Sequence, residues 1–172
     1  MKLRETFIVW LFDISTAPYA KYFKTGKDSW HMTAVDLLTY PKGSLGYEIG
    51  LFLTSNSFEL MDRLETHDAY HVITEYGTDV PNEIAQQYFF FGNGKRTLYM
   101  LGVLFLSVFL LPEYFSRYVA AYRRGTSSRP LHLIDIKKSL NTPLQDIQNQ
   151  IFNTSSYHCY SATVHSIDLF KI

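Results

Sequence analysis

The stretch that most constrains this chain is His67–Glu83, HDAYHVITEYGTDVPNE. It holds two of the six histidines, four residues apart, with Asp68 beside the first and Glu83 twelve residues past the second. Asn56, followed three residues on by Glu59, has the pattern of a capping box that opens a helix. Gly77 is its natural stop. At about 100° per residue with His67 at zero, His71 falls near about 40°, Glu75 near about 80° and Asp68 near about 100°. Leu60, Leu64 and Met61 share that arc, whereas Glu59, Asp62, Arg63 and Glu65 fall on the other side. The predicted helix has a solvated charged face and an apolar face, and the apolar face carries the His/Asp/Glu cluster.

An unpaired buried charge costs several kcal/mol or is neutralised. Ionisable groups at one end of an apolar stripe therefore need a partner. A divalent metal is one solution, and two histidines at i and i+4 on one helix face are a recurrent way to hold it. A polar patch hydrogen-bonded inside a helical core is the other. Glu83 lies beyond the Gly77–Pro81 turn, in the first turn of the next helix. If the two helices form a hairpin, it returns to the level of Glu75 and His71. An acid in a first helical turn also has an independent reason to be there, the helix dipole. Glu75 is an accessory candidate, as ligand or proton shuttle, with an ion-pair role as the alternative.

His-Asp-x-x-His followed by eleven residues and Glu resembles the signature of the ubiquinone-biosynthesis Coq-four family, matched without a gap by His67, Asp68, His71 and Glu83. The flanks are similar too: YPKGSLGYEIGLFL before the motif, then an apolar helix, RYVAAYRRG, and a closing helix after Thr142–Pro143. The resemblance runs from about Leu37 to Asn153. It implies a metal held by those four residues, which would also be the catalytic ones. Zinc comes first among candidate ions, with iron, cobalt and manganese also compatible with histidine and carboxylate ligands. The implied chemistry is removal of the ring carboxyl and hydroxylation at the same carbon of a prenylated aromatic acid, at the membrane surface. The resemblance equally implies a non-catalytic scaffold that gathers other quinone-biosynthesis enzymes around a bound isoprenoid lipid.

Two further constellations compete. HD-type phosphohydrolases use a separate His, an adjacent His-Asp and a distant Asp, an order that His31, His67–Asp68 and Asp135 reproduce, but that reading leaves His71 and Glu83 unexplained. His158, Cys159 and His165 match no standard zinc spacing.

The rest of the chain reads as an all-α fold, a single helical domain of seven or eight helices over residues 1–153, then a short irregular or strand-like tail over 154–172. At 172 residues and 47% hydrophobic content one core is expected. Sixteen basic and sixteen acidic residues leave no electrostatic footprint for nucleic acid. The single cysteine, Cys159, excludes an internal disulfide and fits a reducing compartment. The apolar run Phe7–Phe12 is too short for a secretory core or a membrane span and is read as a first core helix. With no presequence either, the expected location is cytoplasmic and peripheral to the membrane. Lys21–Lys27 reads as a loop, Trp30–Thr39 as a short helix, and Tyr47–Leu53 as the next. Pro81 opens a helix through Phe91, broken by Gly92, Asn93 and Gly94. Thr97–Pro112 is a sixteen-residue uncharged run, short of the roughly twenty needed to span a bilayer. It is either a central buried helix or one bordering a lipid groove or a bilayer. Pro112 opens a helix over Glu113–Arg124, stopped by Gly125, and Thr142, Pro143 and Gln145 begin a last helix to Phe152. The candidate walls of an isoprenoid site are Tyr88, Phe91, Leu98, Leu101 and Phe105. Arg117, Arg123, Arg124 and Arg129 form either a solvated face or a site for lipid phosphates.

Overall fold

A computed structural model of the chain describes Arg4, Thr6, residues 29–60 and residues 65–152. Among them are seven α-helices and no strand: α1 Ala34–Leu37, α2 Leu45–Asn56, α3 Glu65–Thr74, α4 Val80–Gly92, α5 Leu98–Leu110, α6 Phe115–Thr126 and α7 Leu144–Phe152. The expected N-terminal helix around Phe7–Phe12, the Lys21–Lys27 loop, Met61–Leu64, and the tail with His158, Cys159 and His165 lie outside the described residues.

Most helix starts carry a side-chain cap, which satisfies N–H groups that the helix itself leaves without partners. Thr33 and Asp36 form a reciprocal capping box on α1, while Ser44, Asp79 and Thr97 accept from backbone N–H groups in the first turns of α2, α4 and α5. The chain entering α2 is tied to the loop before α7 by three backbone bonds: Leu45 N–H to Thr142 O, Gly46 N–H to Leu140 O and Leu144 N–H to Gly43 O.

Several expected boundaries move. Asn56 is not a cap: it is the last residue of α2, which ends through Ser57 in the left-handed region at φ 56°. Gly77 does not stop α3; the helix ends at Thr74, and Glu75 takes the left-handed turn at φ 62°. Only Ala34–Leu37 of the expected Trp30–Thr39 helix is helical, because Thr33 and Asp36 set its start. Pro112 opens a 3-10 turn, Pro112–Tyr114, before α6 begins.

Gly125 lies inside α6 and is a packing residue. A Cβ there would sit 2.1 Å from Phe89 O, and one on Gly92 would sit 2.2 Å from Tyr122 O. Helices α4 and α6 thus meet backbone to backbone, an approach only glycine permits. Asn93, also buried, fastens the same end. Its amide donates to Gly125 O, Ser128 O and Arg129 O, and its oxygen accepts from Leu131 N–H at 2.7 Å. The core between α2, α3, α4 and α6 holds Ile49, Leu53, Ile73, Phe89 and Tyr118, all fully buried.

Candidate metal centre

The predicted hairpin is present. Helix α3 carries His67, Asp68 and His71. After a short turn, α4 begins at its Asp79 cap and brings Glu83 back on its first turn. His71 Nε2 is 3.1 Å from Glu83 Oε1 and 3.1 Å from His67 Nε2, and His67 Nε2 is 3.6 Å from Glu83 Oε2. One donor atom from each of His67, His71 and Glu83 lies within 4.8 Å of the others. Asp68 is outside that set, although its carboxyl feels the charges of His67, His71 and Glu83.

The donor chemistry fits a divalent cation. Two imidazole nitrogens and a carboxylate oxygen converge on one point, which is the make-up of an open three-ligand site. Ligands bound at about 2.0–2.2 Å around a tetrahedral ion stand about 3.3–3.6 Å apart, close to the observed spacings. His71 Nδ1 lies 3.0 Å from Tyr76 O. A carbonyl only accepts, so Nδ1 carries a proton; in the neutral ring the lone pair is then on Nε2, facing the cluster, and in the protonated ring Nε2–H donates to Glu83. His67 Nε2 lies 3.1 Å away, so either a proton is shared between the two rings or a metal ion can take both nitrogens. The ring of His71 is buried and stacked on Phe52 at 5.7 Å between centroids. The side chains of His67 and Glu83 keep 37% and 23% of their exposure, so the centre is open on that side.

Electrostatics separates the two carboxylates. Burial alone would raise Glu83, but hydrogen bonds from His67 and His71 outweigh it and hold its pKa at about 2. Burial dominates at Asp68 and lifts it to about 6, against the partial compensation of the two histidines. At His71, burial is outweighed by the hydrogen bond and charge of Glu83, and its pKa is raised.

The other candidates are dispersed. Glu75 sits past the helix end, where the wheel no longer applies, and accepts from Gln148 Nε2 at 3.1 Å. His31 is exposed, and Asp135 is exposed and paired with Lys138 at 2.9 Å, so neither joins the cluster. Tyr88 is buried, its hydroxyl 3.1 Å from Leu104 O and its ring stacked on Tyr118. Phe91 packs between Tyr122 and the guanidinium of Arg96. Leu98, Leu101 and Phe105 are exposed on α5, together with Leu106, Val108 and Phe109. Arg123 is exposed, Arg117 donates to Asn82 Oδ1, and Arg124 donates to Thr74 O at 2.6 Å.

Glu65 corrects the expected solvated face. It is 2% exposed and accepts from Ser29 Oγ and Trp30 N–H, each at 2.9 Å, tying the chain before α1 to the start of the motif helix. Its place on the wheel opposite the apolar arc gave no signal of this, because the partners are distant in sequence. Phe52, against the His71 ring, was equally unmarked.

The fold matches a crystal structure of a candidate ubiquinone biosynthesis protein from Nostoc punctiforme PCC 73102 with a TM-score of 0.58 at 17% identity, over 88% of this chain and 82% of that one. No curated protein matches the sequence. The profile of the coenzyme Q (ubiquinone) biosynthesis protein Coq4 matches residues 54–154, a span that contains His67, Asp68, His71 and Glu83. On that match over more than half its length, this chain belongs to the Coq4 family of ubiquinone biosynthesis proteins.

Proposed function

We propose that the chain binds a divalent metal, zinc first, through His67, His71 and Glu83 with Asp68 beside them, and uses it on a prenylated aromatic acid, replacing the ring carboxyl by a hydroxyl. The observation that carries this is the convergence of two Nε2 atoms and a carboxylate across the α3–α4 hairpin. When bound, the ion would supply Lewis-acid stabilisation of negative charge developing on the substrate. His71 is held in one tautomer by Tyr76 O, so its Nε2 is ready without rearrangement. Glu83, with its pKa at about 2, stays anionic throughout the physiological range and fixes both histidines. In the metal-free centre burial lifts Asp68 to about 6; a bound cation would lower it, leaving Asp68 beside the ion as a carboxylate that could accept a proton. Carboxyl loss leaves a ring carbanion that needs a proton or an electrophile at that carbon, and hydroxylation needs an external oxidant to supply the oxygen.

A second reading rests on α5, whose outer face exposes Leu98, Leu101, Phe105 and Phe109. Contiguous apolar surface of this kind marks membrane or ligand contact. On this reading the chain is a scaffold on the membrane surface that holds isoprenoid lipid and gathers other biosynthetic enzymes, its metal structural. No single helix among the described residues is long and apolar enough to cross a membrane; α5 and the segment Pro112–Thr126 pass only as a pair bent by 103°.

His71→Ala decides between the two. Compared at equal folded protein, the enzyme reading expects turnover to fall by orders of magnitude. The scaffold reading expects any loss to follow the melting temperature, since a structural metal contributes directly to folding. Parental quinone production by a folded His71→Ala protein would remove the catalytic role.

A further inference from the structure

The last turn of α3 is held from three sides. The final carbonyls of a helix have no partners within it, and here two other helices supply them. Arg124 on α6 donates from Nη1 to Thr74 O at 2.6 Å. Gln148 on α7 donates from Nε2 to Ile73 O at 3.2 Å and to the Glu75 carboxylate at 3.1 Å. Gln86 on α4 reaches the Thr74 hydroxyl at 3.4 Å. The Arg124 guanidinium also lies over the rings of Phe152, Tyr76 and Phe89, at 4.4, 5.4 and 5.7 Å from their centroids. Just beyond this clasp, Glu75 at φ 62° reverses the chain, and Tyr76 O comes back to 3.0 Å from His71 Nδ1.

We propose that Arg124 is a positioning residue for His71. It grips the two ends of the turn, Thr74 by its carbonyl and Tyr76 by its ring, and so fixes the carbonyl that assigns the proton of His71 to Nδ1. In the neutral ring the Nε2 lone pair then faces the point between His67 and Glu83 where a cation would sit. A guanidinium suits this task because it donates in its plane while its faces stack on aromatic rings; an ammonium is a point charge and does not do both in a fixed geometry. The arginine cluster therefore divides. Arg123 stays at the surface, and Arg124, one residue on, turns inward to the metal centre's support. The consequence for metal affinity rests on the reading of the centre given above; the consequence for the imidazole does not.

The test uses the full chain with 15N-labelled histidine, metal-free and at alkaline pH, where the imidazoles are neutral. In the parent, His71 is expected as the Nδ1–H tautomer. Arg124→Met should give a mixture of tautomers, and Arg124→Lys should lie between the two. Zinc affinity, measured by competition with a chromophoric chelator, should fall roughly 10- to 100-fold in Arg124→Met, the usual cost of losing support behind a histidine ligand. Melting temperature is recorded for each. A folded Arg124→Met protein with the parental tautomer and parental zinc affinity overturns the proposal, whatever its melting temperature. If that variant does not fold, Arg124→Lys carries the test, and an unchanged tautomer and affinity there overturn it equally. A tautomer shift in a protein that binds no zinc even as the parent leaves Arg124 its positioning role and removes the metal reading.

Discussion

Helices α4 and α5 are both thirteen residues long, and they sit in opposite circumstances. Helix α4 includes Asn82, Glu83 and two glutamines, yet it is the buried one, covering Ile84, Ala85, Gln86, Tyr88, Phe89 and Phe90. Helix α5, LYMLGVLFLSVFL, has no charged residue at all, yet it buries only Met100, Leu104 and Ser107, a single stripe at i, i+4 and i+7. What decides burial is the availability of a partner surface. Helix α4 has the glycine contact with α6 on one side and the α3 hairpin at its start, and its acid Glu83 is matched by two histidines. Among the described residues, helix α5 buries one stripe and turns six large apolar side chains outward.

The largest effect should come from closing the gap between α4 and α6. Gly125→Ala puts a methyl 2.1 Å from a backbone oxygen, which no rotamer change relieves. A loss of about 3 kcal/mol or more is expected, as for severe overpacking, read by urea unfolding. Parental stability would mean the two backbones are not in contact.

Next is the outer face of α5. Replacing Phe105 and Phe109, whose rings pack edge to face at 5.1 Å, by Ser should abolish sedimentation with liposomes. Each buried aromatic ring contributes roughly 1.5–3 kcal/mol, so the pair accounts for at least a hundredfold in partitioning. Unfolding stability should stay within about 0.5 kcal/mol of the parent, since exposed positions contribute little to it. A double variant that still partitions at the parental level would sink the membrane reading of α5.

On the α3–α4 side the comparison can be sharpened with pH. Asp68 has a folded pKa of about 6, above the roughly 3.9 of an unfolded aspartate. The folded state therefore holds the proton more tightly, and stability is lost as pH rises from about 4 through about 6. In chelator-treated protein, Asp68→Asn should match the parent near pH 4 and exceed it by on the order of 1–3 kcal/mol at pH 7. Glu83 carries the opposite sign. Its folded pKa of about 2 makes it stabilising above about 4.3, a contribution lost as pH falls toward about 2, so Glu83→Gln should cost stability at neutral pH. Equal pH profiles for parent and Asp68→Asn would show that this carboxyl is not held in a desolvated site.

How legible these contrasts were in the sequence depends on the range of the interaction. His67, His71 and Glu83 are joined by helix periodicity and one short turn, so their meeting could be read directly, and Pro81 announced the start of its helix. The all-helical architecture followed from the same local signals. Gly92, Asn93 and Gly125 looked like chain breakers because that is the commoner local role of Gly and Asn. Their use here is in contacts between residues thirty or more apart in sequence, which no local pattern encodes. Glu65 failed for the same reason: its partners Ser29 and Trp30 lie on the far side of two helices. The outward apolar face of α5 was half legible, since an uncharged run permits burial and lipid contact alike.

The smallest expected effect bears most directly on that ambiguity. Gly102 lies on the outer side of α5, and a Cβ there would meet nothing within 4 Å. In the interior of a helix, Gly→Ala reduces the backbone freedom of the unfolded chain and stabilises by about 0.5–1 kcal/mol when the site is open. Gly102→Ala is therefore expected to raise stability slightly, against the steep loss at Gly125, though both are helical glycines in an apolar neighbourhood. The pair is best measured by urea unfolding with a shared slope, so that midpoints report stability alone. A gain at Gly102 with unchanged liposome binding fits a face that meets the soft hydrocarbon of a lipid surface, where one methyl is accommodated. A loss at Gly102 would mean that another part of the chain packs closely over α5. The outward apolar face would then be an internal contact, and the difference between the two helices would be one of degree.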